Sequence, residues 1–431
     1  MDLSSPGRSE RAEGFAHSPV PLEATGSASK IFFIVVGTLC GLPAFVLASN
    51  IATSFGIRAG ARVFFVGGAL SAALGALSAY TGARTRMSLA LLAEATFGKR
   101  GANIVQLAIA VSAIGWFAVI ISVLGAVTSD SIFAVYEVRV PTPAIALPLC
   151  VLVALIASRG VNSLQKLGAL LVPLTFVLLI ASVVLTLHSS GAAEPVRPAG
   201  PPLAFSSAIS AVVGSYIVGI IIQPDYARFV RQPGRAVIAE IAALGAAYPT
   251  ILLLAALPAI ALGKPDLITA LIALGLGIPA LVLLLLGAWI DASSCLYSGS
   301  LALAVLFPKL RLARIVMGAS VVSALLALVH AERHFLSFLE VLGTSLPPLA
   351  AVQCTTALLK RREHSDSPGA TPARRINGTA FVSWALGIAV GAISQRPGWS
   401  FTGLAVVDSV AAAAIATLVI HVVANTVTTS R

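Results

Sequence analysis

Charge is what this chain has least of. Asp, Glu, Lys and Arg make up 10% of its 431 residues, against about a quarter in a water-soluble domain. So little charge excludes a water-soluble enzyme or binding domain and points to a protein that crosses a membrane many times. Cysteine is equally sparse. Cys40, Cys150, Cys295 and Cys354 lie in or beside apolar runs without metal-ligand spacing, so neither a disulfide framework nor a zinc site is indicated. Acidic residues are outnumbered 17 to 28. The resulting net charge of +11 is not an affinity for nucleic acid, because the basic residues sit in short loops between apolar runs. What fills the sequence instead is hydrophobic: 58% of residues, with a mean hydropathy of +0.96.

Residues 1–30 are polar and read as a disordered tail; no cleavable signal peptide is expected, since the first apolar run begins at Ile31 and is too long for one. Twelve apolar runs follow, at 31–55, 63–80, 102–127, 143–157, 167–187, 203–222, 236–262, 278–306, 315–329, 335–359, 379–393 and 401–423. The predicted class is therefore all-α, a polytopic membrane protein of about twelve helices. With the N-terminus inside, only Arg58, Arg62, Arg139, Arg197, Lys264, Arg333 and Arg396 of the 28 basic residues fall outside. That bias follows the positive-inside rule and predicts both termini in the cytoplasm of a cell (inner or plasma) membrane. A segment from Thr85 to Gly98 is helical in pattern but too short to span, and reads as interfacial.

The run at 278–306 carries a carboxylate, Asp291, in its middle. At about 100° per residue, Asp291, Ser294 and Ser298 share one helix face, with Gly287 and Cys295 beside them. A carboxylate at mid-bilayer costs about 2.5–3.5 kcal/mol on insertion scales, so it faces a protein interior or a wet cavity. It is either a buried acid satisfied by hydroxyls or an ion- or proton-coupling site. The first run holds Gly37, Cys40, Gly41 and Pro43 near its centre, which predicts a kink or an opened helix. The sixth run has a weak point between Gly214 and Gly219, and paired interruptions five runs apart suggest two inverted five-helix repeats, 31–187 and 203–359, with 379–423 as two peripheral helices. Mid-run Trp116 either packs or offers a flat face to an aromatic ligand. Pro347 and Pro348 should break the tenth run, as a gate or thin lid.

These residues carry a resemblance. Gly115-Trp-Phe in the third run fits it, as do Val213-Gly-Ser-Tyr and Pro224-Asp-Tyr-Ala-Arg-Phe around the sixth. So do Trp289 with Leu296-Tyr-Ser-Gly in the eighth, Thr-Phe-Gly-Lys ending at Lys99, and Leu346-Pro-Pro in the tenth. Together, over residues 31–362, the chain resembles the cytosine permease branch of the nucleobase–cation symporter family, which includes hydantoin transporters. The resemblance implies twelve helices in the five-plus-five inverted-repeat fold of sodium-coupled amino-acid transporters. It implies that Trp116 and Tyr216 sandwich a flat base, with Ser215, Ser293, Ser294 and the backbone at Gly41 as further substrate contacts. It places cation coupling at Asp291, Ser294, Gly37 and Cys40. Two family amides that would read a base edge are replaced by Ala113 and Ala292, which leaves the heterocycle open between cytosine and another such as a modified pyrimidine. Ile290 and Asp291 stand where sodium-coupled members have two hydroxyls. The expected function is alternating-access symport of a small flat heterocycle with H+ or Na+, with no other cofactor. The bilayer and the substrate are its partners, nucleic acid is not, and the oligomeric state stays open. A channel or a membrane enzyme is the competing class, but no nucleophile–base pair or metal cluster supports chemistry; a non-transporting sensor of the same ligand remains an alternative.

Overall fold

The computed structural model describes residues 18–157, 162–189, 203–264, 266–363, 375–396 and 398–429. The chain is helical: α1 Ser29–Leu39, α2 Leu42–Thr85, α3 Leu89–Phe97, α4 Lys99–Tyr136, α5 Thr142–Ala157, α6 Asn162–Ser189, α7 Phe205–Ala227, α8 Pro233–Glu240, α9 Tyr248–Ala261, α10 Leu267–Ala273, α11 Gly277–Leu306, α12 Leu312–Leu328, α13 Phe335–Ser345, α14 Pro347–Glu363, α15 Gly378–Ser394 and α16 Ala405–Thr429. In hydrocarbon a backbone must satisfy its own N–H and C=O groups, and helices do this within one segment. Seven of the described helical stretches are long and apolar enough to cross a membrane, and four shorter apolar helices accompany them.

Each expected run lies on a helix. The first comprises α1 and the start of α2; the second is the rest of α2 beyond a bend at Gly56, whose φ of 72° suits a residue without Cβ. The seventh is α8 and α9 joined by a π-helical stretch, Ile241–Ala247. The tenth is α13 and α14, separated at Leu346 where the two prolines begin. The interfacial segment is α3, whose first turn is capped by Ser88 accepting from the Leu91 amide at 3.3 Å. Short α10 is too brief for a periodicity signal; Asp266 caps it, accepting from the amides of Ile268 and Thr269 at 2.8 and 3.0 Å.

Two expectations are corrected. The sixth run is not interrupted: α7 is helical throughout its length. Its glycine serves close approach instead, since a Cβ on Gly214 would collide with the Leu339 carbonyl of α13, and one on Gly343 with the Ser210 carbonyl of α7. The tail is not disordered from 1 to 30. Residues 1–17 lie outside the described residues, but Val20 is buried and donates its amide to Arg86 O at 2.9 Å. Gly26 pairs with the 229–231 segment, donating to Phe229 O at 2.7 Å and accepting from Arg231 N at 3.1 Å.

The bundle centres on α7, which packs along α2 and against α13, while α4 packs along α11. α15 and α16 pair at one side against α14. Pro224 inside α7 lacks the N–H that would bond Ile220 O; the Ser78 hydroxyl of α2 reaches across and donates to that carbonyl at 2.7 Å. Asp408, at the start of α16, accepts from Ser400 Oγ and from the amides of Phe401 and Thr402, closing the preceding loop.

Candidate functional site

The helix break of the first run falls at Cys40 and Gly41. Cys40 leaves the helix with ψ of 22°, Gly41 is extended (φ −87°, ψ 159°), and α2 restarts at Leu42. Pro43 occupies the first turn of α2, where its missing N–H breaks no helical bond. Carbonyls at the end of α1 and amides at the start of α2 are thereby freed of helical partners. The Cys40 carbonyl lies against α11, 3.1 Å from where a Cβ on Gly287 would stand.

Opposite this break is Asp291. It is 8% exposed, and among the described residues its one side-chain hydrogen bond is from the Cys295 thiol, 3.8 Å from Oδ1. Oδ2 sits 3.0 Å from the position a Cβ on Gly41 would take, so a side chain there would crowd the acid. The two elements meet over a cavity of about 70 Å³, space for about five waters at ~10–15 Å³ each. α1 contributes Thr38 to its wall, α4 Ala113 and Trp116, α7 Ser215, Tyr216 and Tyr226, α9 Tyr248, and α11 Asp291, Ser294, Cys295 and Ser298. The face of α11 expected from helical periodicity is the face that lines the cavity. Ser294 and Ser298 make no hydrogen bond within the described residues and are available to a guest.

Trp116 and Tyr216 meet at this cavity. The indole is backed by α13: Phe335 stacks on it at 6.0 Å with planes 6° apart, and Phe338 tilts against it at 5.8 Å. Ser215 is already engaged, donating to Val212 O at 2.7 Å and bonding the hydroxyl of buried Tyr248. Ser293 is not brought to the cavity. Two residues beyond Asp291 it is turned by about 200°, fully buried, with its Oγ unpartnered. Gly37, on the last turn of α1, and Cys40, just past its end, do not line the cavity. The side chain of Ile290 lies outside the described residues. Tyr248, Phe335 and Phe338 were not expected; an aromatic hydroxyl in a membrane run was the available signal for Tyr248. Among the described residues no three His, Cys, Asp or Glu side chains converge as for a metal ion.

Over residues 19–420 the chain matches the family described as permeases for cytosine/purines, uracil, thiamine and allantoin. It is similar to the cytosine permease of Escherichia coli (strain K12), 25% identical over 421 residues that cover 96% of each chain. Among solved structures it is similar to Mhp1, a nucleobase-cation-symport-1 family transporter, in a closed conformation with bromovinylhydantoin bound: 18% identity, 95% of this chain and 96% of that one, TM-score 0.77. The inward-facing conformation of Mhp1 gives 19% identity, 95% and 93% coverage and a TM-score of 0.78. At that identity the likeness is one of fold. The full-length family match carries the assignment: this chain belongs to the cytosine/purine permease family, and is a multi-pass membrane transporter of the nucleobase–cation symporter kind rather than an enzyme.

Proposed function

We propose that this permease carries a single-ring nucleobase or related flat heterocycle by alternating access, driven by protons bound at Asp291. The observation that carries the reading is the cavity itself: two aromatic side chains, Trp116 and Tyr216, share it with a nearly dehydrated acid set against the opened first helix. Phe335 and Phe338 back Trp116 from α13, and the indole also lines the cavity, where a flat ring can pack on it. Hydroxyls of Ser294, Ser298 and Tyr226 supply edge contacts, whereas Ala113 presents a methyl group beside the indole, so recognition there rests on shape and stacking. The substrate is proposed as a modified pyrimidine or similar ring rather than cytosine itself. The two five-helix halves, 31–187 and 203–359, are proposed to rock about this site, with the two C-terminal helices outside.

Protons are favoured over sodium by the surroundings of Asp291. Oδ1 has the Cys295 thiol beside it and Oδ2 faces Gly41; freed α1 carbonyls and the Ser294 hydroxyl stand near, but an acid, unlike those groups, can itself take up and release the coupling proton. Dehydration favours the neutral form of a carboxyl group, and membrane-embedded acids serve as proton relays for that reason. The test is uptake into proteoliposomes. Accumulation should follow an imposed pH gradient with sodium absent, and Asp291→Asn should abolish uphill accumulation while exchange of labelled substrate persists. Uptake that rises with sodium at fixed pH and ignores the proton gradient assigns sodium instead. A purified protein that binds heterocycles but shows no counterflow is a sensor.

A further inference from the structure

A second acid lies inside the bundle, away from the cavity wall. Glu240 ends α8 and is 0% exposed; Gln223 of α7, also 0% exposed, faces it. Gln223 Nε2 donates to Glu240 Oε2 at 2.8 Å. The other oxygen of each group, Glu240 Oε1 and Gln223 Oε1, has no partner. No cation reaches the carboxyl among the described residues. From α2 it meets Gly75, where a Cβ would stand 2.7 Å from Oε1, and Ser78 beyond it has its hydroxyl committed to Ile220 O. From α7 the titratable group within electrostatic reach is Tyr216, which also lies in the field of Asp291 and beside the Thr38 hydroxyl. No charged side chain of α1, α2, α7 or α9 pairs with Glu240 among the described residues.

An ionised carboxylate held this way would be a dehydrated charge with one hydrogen bond, a costly arrangement. One added proton removes that charge and gives the carboxyl a donor of its own. A carboxylic acid and a primary amide present complementary edges: the amide N–H already donates to Oε2, and a proton on Oε1 donates to the amide oxygen. The position in the fold adds a means of release. The π-helical stretch Ile241–Ala247 starts at the next residue, and such turns are rare, strained departures from the α-helix that cluster at functional sites. Gln223 stands one turn from the end of α7 that leads into Arg228 and Arg231, the basic end of the bundle.

We propose that Glu240 and Gln223 form a second proton-holding site, in series with Asp291 and nearer the basic end, from which the proton leaves to the cytoplasm. The order of the two sites rests on the reading of Asp291 given above; the existence of the Glu240 site does not. In the proposed sequence an O–H bond forms at Glu240 Oε1 as the proton is taken up and breaks as the proton is given to water, and no other bond changes.

Full-length protein in liposomes tests this with two measurements. Glu240→Gln should reduce accumulation driven by a pH gradient to simple equilibration, with zero-gradient exchange read in parallel as the measure of folded carrier. Infrared difference spectra should show a protonated carboxyl band in the wild type that is lost in Glu240→Gln and moves to higher frequency in Gln223→Leu, which keeps the acid and removes its acceptor. Wild-type accumulation by Glu240→Gln overturns the proposal. Should that variant not fold, a carboxyl band unmoved by Gln223→Leu overturns it instead. The two readings fail separately: if Asp291→Asn accumulates normally and Glu240→Gln does not, Asp291 loses its role and Glu240 keeps its own.

Discussion

At the scale of single residues, the cavity makes two mutations informative. Trp116 has one face on Phe335, so its replacement by Ala removes both a ligand platform and a packed ring. Binding of the heterocycle should weaken by about 1–3 kcal/mol, by analogy with base–aromatic stacking. Tyr216→Ala should cost a similar amount; isothermal titration that returns wild-type affinity for both would exclude the pocket. Gly41→Ala sets a methyl group 3.0 Å from Asp291 Oδ2 and should cut transport far more than protein level, measured as uptake per mole of carrier in the membrane. Pro43→Ala should do little, because Pro43 sits in the first turn of α2. Part of this was legible beforehand. The stripe of Asp291, Ser294 and Ser298 follows from helical periodicity within one segment, and that stripe lines the cavity. Tyr248, Phe335 and Glu240 were not legible in the same way, because their roles depend on which helices meet. Ser293, a contact that the resemblance implied, does not line this cavity, because two residues along a helix from Asp291 it faces the other way.

At the scale of elements, glycine and proline each have two uses that a sequence does not separate. In the first run Gly41 ends one helix and Pro43 opens the next, so a break was readable. In the sixth, Gly214 removes a side chain so that α7 and α13 touch through their backbones, and the helix continues. Pro224 also leaves α7 intact, since Ser78 takes over the carbonyl that Pro224 abandons. This substitution of side chain for backbone predicts a non-additive pair. Ser78→Ala strands a buried carbonyl and should destabilise by about 1–3 kcal/mol. In a Pro224→Ala background the backbone amide restored at that position can serve Ile220 O, so the same Ser78→Ala change should cost much less. Thermal unfolding of the four proteins in detergent measures the coupling; equal losses in both backgrounds would show that Ser78 does not compensate for the proline.

At the scale of the whole molecule, orientation is the remaining prediction, and α2 provides the ruler. Beyond its bend at Gly56 it carries exposed Arg62 near one end and exposed Arg84 near the other. At 1.5 Å per residue these are about 33 Å apart along the axis, close to the ~30 Å thickness of the hydrocarbon layer. The two arginines therefore belong to opposite faces of the membrane. The surrounding charges decide which is which: the end with Arg84 also holds Arg86, Arg228, Arg231 and the strap at Val20 and Gly26, while few basic residues accompany Arg62. Basic loops stay in the cytoplasm, which predicts Arg84 and both termini inside. Cys40, Cys150 and Cys354 are buried and Cys295 is half-buried in the cavity wall, so background labelling is low. Arg62→Cys should react with a membrane-impermeant thiol reagent on intact cells, and Arg84→Cys only after the membrane is opened. The reverse pattern would invert the topology and move the Glu240 site to the outer half, so this labelling also decides whether that site can discharge protons into the cytoplasm.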